Sequence, residues 1–208
     1  MAVAALDVKK LREMTGAGPL DCKKALEETG GDLDKAAAWL REKGIAKAQK
    51  KLGKEGDLHE GTVEVYQHFN KRLAVIVEVN CQTDFVANTA KFQAFAKDLA
   101  LHIVSNRPKW VTRQDVPADI LAEEKSAQLR MEDIATKPEN IKEKIVEGRL
   151  EKWYQENVLM EQAFFKDEDK TIQQLLEGVV ADLGERVAVR RFARYELGEF
   201  ATEQANED

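Results

Sequence analysis

The run Asn80-Cys81-Gln82-Thr83-Asp84-Phe85-Val86 brings together a carboxylate, a hydroxyl and a large apolar ring. Noncovalent work suits this set: a ring can fill a crevice in a partner while the acid competes for polar groups beside it. A second reading is a plain strand-to-helix turn, with Asp84 as a local cap and Phe85 as the first core residue. The other reactive side chains form no catalytic pattern. His59, His68 and His102 pair with neither cysteine nor carboxylate at metal-ligand spacing, so a zinc site is not expected. There is no Walker sequence, no GxGxxG and no GxSxG elbow. Nothing marks Cys22 or Cys81 as an activated nucleophile. His102 borders an apolar helical stripe and reads as a satisfied, half-buried histidine. His68 lies near a turn, where solvation and a partner contact are both open.

The elements that would position the first run are legible. Leu73-Ala74-Val75-Ile76-Val77-Glu78-Val79 is apolar and β-branched, and reads as a buried strand. It delivers Thr83-Asp84-Phe85 to a junction with a helix of about 89–104, which carries Phe92, Phe95, Ala96, Leu99 and Ile103 on one stripe. Upstream, Thr62-Val63-Glu64-Val65-Tyr66 alternates and Asn70-Lys71 marks a turn, so a hairpin is expected.

Residues 1–52 read as three short helices. Asp7 is expected to cap the first, which carries Val8, Leu11 and Met14 and stops at Thr15-Gly16. Pro19 suits the first position of the second, with Cys22, Ala25 and Leu26 inward and Gly30-Gly31 at its end. Asp32 caps the third, whose Leu33, Ala36, Ala37 and Leu40 follow helical spacing, with Gly44 as the C′ residue. Lys43 to Lys54 follow as a basic linker. Lys47, Lys50, Lys51 and Lys54 either touch RNA or form a solvated helical connector. After a loop over 105–118, helices over about 118–135 and 138–156 carry narrow apolar stripes broken at Thr136-Lys137-Pro138. They suggest an antiparallel hairpin projecting from the body. Thr171 and Gln174 form a capping box opening another helix, closed by Gly184. Arg186 to Leu197 alternates as a third strand. Its Arg186, Arg190, Arg191 and Arg194 read as an RNA face, or as protection for an edge strand through charge and local acid pairs. Residues 199–208 are expected to form a flexible acidic tail.

Composition narrows the class. The 208 residues are 43% hydrophobic, 34% charged and 7% aromatic, which favours solvated helices over a sandwich. A net charge of −6 argues against a general nucleic-acid binder. No apolar run is long enough to span a bilayer, and Met1 to Leu6 lacks the basic start of a signal peptide. Two distant cysteines fit reduced cytosolic thiols. The expectation is an α+β interaction protein, not an enzyme, with no cofactor, no metal and a cytoplasmic location.

Three segments carry a resemblance to a known family. They are Leu11-Arg12-Glu13-Met14-Thr15-Gly16-Ala17-Gly18 with Asp21-Cys22-Lys23-Lys24-Ala25-Leu26; Glu78 through Val86; and Ile145-Val146-Glu147-Gly148-Arg149. Together they make the chain similar to bacterial translation elongation factor Ts, in a short form with one core repeat. The resemblance implies a UBA-like three-helix head over 1–52 and an α+β core with a small antiparallel sheet over 56–198. It also implies an inserted antiparallel coiled-coil hairpin over about 118–156. It implies guanine nucleotide exchange on elongation factor Tu, bound both with GDP and nucleotide-free. Thr83, Asp84, Phe85 and Val86 would disturb the partner's Mg²⁺ site, with Phe85 as wedge. Arg12, Leu20 and Lys23 would be head contacts, and His68 would lie near the partner's phosphate loop. Pro19-Leu20 departs from the two methionines or Val-Met of many members. Ala193 stands where some short members have a cysteine, so a homodimer, the expected remedy for a small open sheet, would be noncovalent. The rival reading is a helical-peptide adaptor without exchange activity.

Overall fold

The computed structural model describes residues 3–52, 57–135 and 137–199. The expected positions Lys54, residue 56, Thr136 and the tail from 200 onward lie outside them.

The head is built from α1 (Ala5–Thr15), α2 (Pro19–Glu28) and α3 (Leu33–Leu52). Gly16 adopts φ 70°, and its N–H bonds the Arg12 carbonyl, which lets α1 stop and the chain turn. Pro19 opens α2 as expected. Asp32 caps α3, its Oδ1 accepting from the Asp34 and Lys35 amides at 3.0 Å each. Leu11, Cys22, Ala25, Leu26 and Ala36 close into a small core. Three local expectations fail. The residue before α1 is Ala4, with no side-chain cap, and Asp7 instead sits inside the first turn, where its charge meets the helix dipole. Met14 is 58% exposed, because it lies a turn beyond Leu11 at the helix exit. Gly44 does not end α3. A Cβ there would meet the Ala181 Cβ at 3.4 Å, so its small size serves close helix packing.

The reason is that α3 is a strut. Ala48 is buried in the core of the body, and Leu52 packs against that core. Gln49 donates to Glu177 at 3.2 Å, and Lys51 donates to the Gly184 carbonyl. As far as Leu52 the basic stretch is therefore helical, with one face covered and Lys43, Lys47 and Lys50 exposed.

The body starts with β1 (Glu60–Gln67) and β2 (Leu73–Cys81), paired antiparallel from Glu60↔Cys81 to Gln67↔Ala74. After α4 (Asp84–Ala87) and α5 (Ala90–Asn106) come α6 (Ala118–Leu129), α7 (Glu132–Ala135) and α8 (Glu139–Asn157). A two-strand ribbon, β3 (Ala163–Phe164) with β4 (Asp167–Thr171), leads into α9 (Ile172–Leu183) and β5 (Val187–Glu196). The main sheet has the order β1-β2-β5, all antiparallel. Val75, Val77 and Val79 of β2 face inward onto Phe92, Phe95, Leu99 and Ile103 of α5 and Leu176, Val179 and Val180 of α9. The opposite sheet face leaves Val63, Val65, Ile76 and Tyr195 exposed.

The single helix expected over 118–135 is split after Leu129, and the β3–β4 ribbon was not foreseen. Arg149 links α8 to Gln128 and Asp133 on the preceding helices. At the base of the helix pair, Arg113 bonds both Glu151 and Glu161 and stacks on Tyr154. Two arginines of β5 are paired with local acids: Arg191 with Glu78 at 2.7 Å, and Arg194 with Glu196 and Glu199. Among the described residues, no helix is long and apolar enough to cross a membrane.

Candidate functional site

The valine-rich strand β2 cannot be withdrawn from the core, so whatever follows it is placed firmly. Its last residue, Cys81, is fully buried, and its thiol donates to the Thr83 carbonyl at 3.1 Å. Burial pushes that thiol above its ordinary range. Thr83 is the N-cap of α4, its Oγ1 accepting the Val86 amide at 3.3 Å. Thr89 caps α5 in turn, accepting from the Phe92 amide at 3.3 Å and donating to the Val86 carbonyl at 2.8 Å. A one-turn helix is thus pinned between two threonine caps. The Asn88 side chain also donates to the Asp84 carbonyl at 2.8 Å.

This one turn sorts its side chains sharply. Val86 and Ala87 are each 5% exposed and belong to the core. Phe85 is 79% exposed, and Asp84 is exposed beside it. Phe85 is therefore no core residue, and the cap is Thr83 rather than Asp84. Val86 faces inward, so it anchors the turn and presents no side-chain surface of its own. An exposed phenylalanine held on a rigid turn loses little entropy when a crevice receives it.

The other expected residues fall elsewhere. His68 sits at the far end of the β1–β2 hairpin, opposite Leu73 and roughly 27 Å from Cys81 at about 3.4 Å per strand residue. Its Nδ1 bonds the Tyr66 hydroxyl at 2.9 Å, and its ring lies 4.4 Å from that of Phe69. Phe69 is 88% exposed, and sequence reading passed over it; the signal was an aromatic residue inside a polar turn. In the head, Leu20 is 84% exposed, Arg12 is exposed, and Lys23 pairs loosely with Glu27 at 3.8 Å. Leu6 and Met14 are further exposed apolar side chains of the head.

His102 is buried, as a satisfied group: its Nε2 faces the Gln162 Oε1 at 3.0 Å, and its Nδ1 accepts from the Phe165 amide at 3.4 Å. Burial lowers its pKa from 6.5. Among the described residues, no cluster of histidine, cysteine and carboxylate could hold a metal ion.

The site thus combines exposed apolar side chains at element junctions with buried thiols and a histidine hydrogen-bonded at both ring nitrogens. The chain belongs to the elongation factor Ts family, whose model matches residues 16–199. It is 51% identical over 197 residues to elongation factor Ts of Moorella thermoacetica, covering 95% of this chain and 96% of that protein. Against elongation factor Ts of Geobacter sulfurreducens it is 51% identical over 199 residues, covering 96% and 91%. Against that of Thermoanaerobacter sp. strain X514 it is 47% identical over 205 residues, covering 99% and 100%.

Proposed function

We propose that this chain is a guanine nucleotide exchange factor of translation elongation, acting in the cytoplasm on elongation factor Tu without covalent chemistry. The observation that carries the reading is Phe85, 79% exposed on a turn whose next two residues are core. Phe85 enters the partner beside its Mg²⁺ and phosphate site, Asp84 competes for polar groups there, and GDP leaves faster. GTP then rebinds and expels the factor. The head, a UBA-like module, docks through Arg12, Leu20 and Lys23, and the α6–α8 hairpin is a short coiled coil. Linkage tests the scheme: nucleotide must weaken the complex by the factor by which the complex weakens nucleotide. Titrating the chain onto elongation factor Tu with and without GDP should give a clearly weaker complex with GDP. Equal affinity in both titrations would leave only the helical-peptide adaptor reading.

The reading includes a noncovalent homodimer. Val63, Val65, Ile76 and Tyr195 form an apolar outer sheet face, with β1 and β5 as open edges. Phe85 and His68 occupy opposite ends of the hairpin, so one copy cannot place both on one nucleotide pocket. A two-fold pair can offer Phe85 from one copy and His68 from the other. Sedimentation equilibrium under reducing conditions should give twice the 23.5 kDa chain mass; a single species at that mass would rule the dimer out.

A further inference from the structure

We propose that Glu185 is the positioning residue of the Phe85 wedge, holding the start of α4 at an angle set by the end of α9. The inference rests on the exchange reading above and adds a residue to the same site.

The observations converge on one short segment. The Glu185 carboxylate accepts the Thr83 amide at 3.2 Å, and the Thr83 hydroxyl lies 2.9 and 3.1 Å from its two oxygens. The same hydroxyl oxygen caps α4 by accepting the Val86 amide, so the carboxylate and the helix hold one atom between them. One residue further on, the Arg186 amide donates to the Gln82 side-chain oxygen at 2.9 Å. Residues 82–83 and 185–186 are therefore clipped reciprocally, and the clip closes across 102 residues of sequence. The holder is itself fixed. Gly184 ends α9 with φ 71°, and its carbonyl receives Lys51 from α3.

This placement decides what Glu185 can do. It is half-buried and two residues away from Phe85 in the hydrogen-bond chain, so it need not touch the partner. What it fixes is the direction in which α4 leaves β2, and hence where the Phe85 ring points. An ion accepting two hydrogen bonds is stronger than a neutral acceptor and gives the turn one orientation. Without it, Thr83 retains its cap to Val86, but the junction pivots on Cys81. A pivot costs exchange through poor aim of the ring rather than through loss of docking surface.

Cys81 reports on the same junction without the partner. Its thiol is buried and bonded to the Thr83 carbonyl, so loosening residues 82–83 exposes it, while Cys22 in the head core is untouched.

The test uses the full chain as Glu185→Ala and Glu185→Gln, with two readouts. The first is the dependence of GDP release from elongation factor Tu on chain concentration. The second is the rate of iodoacetamide alkylation of Cys81 relative to Cys22, resolved by peptide mass spectrometry. Glu185→Ala should lower the saturating release rate about tenfold, the scale of one lost charged hydrogen bond, while the half-saturating concentration holds within about twofold. It should raise the Cys81-to-Cys22 alkylation ratio about tenfold. Glu185→Gln keeps one acceptor oxygen and should fall between wild type and Ala on both readouts. Any other combination overturns the assignment, including equal acceleration of both thiols, which marks general destabilisation. If the wild-type chain does not stimulate release, the exchange reading fails, and the alkylation ratio alone decides whether Glu185 holds the junction.

Discussion

Two phenylalanines stand out of this molecule at opposite ends of β2, and they are mounted differently. Phe85 rides on a one-turn helix between two threonine caps, with Val86 and Ala87 sunk in the core and Glu185 gripping Thr83. Phe69 sits in a hairpin turn, its ring tilted against that of His68, which leans on the Tyr66 hydroxyl. That turn is held by its own backbone: His68 to Leu73 at 2.8 Å, Lys71 to His68 at 2.8 Å, and Leu197 of the neighbouring chain segment to Arg72 at 2.8 Å. The first ring is braced by the whole body, the second only by its hairpin and one edge. A wedge that must displace groups inside a partner needs the former mounting. A contact that only adds surface can use the latter.

The comparison breaks first at Phe85. Phe85→Ala should cut stimulated GDP release about ten- to a hundredfold, since burying a phenyl ring is worth roughly 1.5–3 kcal/mol. The fold should be intact, because the ring faces solvent. Its neighbour behaves in the opposite way. Val86→Ala should lower unfolding stability by about 2 kcal/mol, read as a shift in the urea midpoint, because it leaves a cavity beside β2. A neutral Val86→Ala would mean that the turn is not braced from below.

Phe69→Ala sharpens the contrast. With a weaker mounting it should reduce release about three- to tenfold, mainly by raising the half-saturating concentration. Asp84→Ala should cost about fivefold in release, near 1 kcal/mol for a partly solvated polar contact. Should Phe69→Ala exceed Phe85→Ala, the roles of the two ends are reversed.

The smallest effect is one of pH, and it separates the body's core from its surface. His102 is neutral in the fold, with its pKa held below 6.5 by burial. The unfolded chain therefore takes up the proton first, and stability falls as pH drops from about 6.5 through the lowered folded value. His102→Gln should flatten that part of the stability profile, measured by urea unfolding between about pH 7 and pH 5. The carboxylates act later. Arg191 beside Glu78 and Arg194 beside Glu196 hold those groups below the ordinary 4.5, so their share is present above that value and lost at lower pH. An unchanged profile in His102→Gln would show that the histidine is not a stability determinant.

How much of this was legible in the sequence depends on how local each signal is. The β2 strand, the turn at Lys71 with φ 58°, the Asp32 cap and the Thr171–Gln174 capping box are all written within a few residues, and all are present. The exposed carboxylate and ring at 84–85 were legible as a pair, but their exposure was not, since an aromatic after a strand equally suits a core. Gly44 misled because its local meaning, a helix end, is overridden by a tertiary one, the approach of Ala181. Met14 misled because helical spacing does not say where a small core stops. The Thr83–Glu185 clip could not be read at all: its partners are 102 residues apart, and no local pattern marks Glu185 as the partner of Thr83. The β3–β4 ribbon was hidden for another reason, since Asp167-Glu168-Asp169-Lys170-Thr171 has the composition of a loop.

The central claim is that this chain opens the nucleotide site of elongation factor Tu and that Phe85 does the opening. The direct measurement is release of fluorescent GDP from elongation factor Tu, with the chain present at a small fraction of the partner's concentration. Wild type should discharge the whole population, because each copy is freed by incoming GTP and acts again, and Phe85→Ala should do so about ten- to a hundredfold more slowly. Release that stops once each copy has acted once, or that is equally fast with Phe85→Ala, would contradict the account.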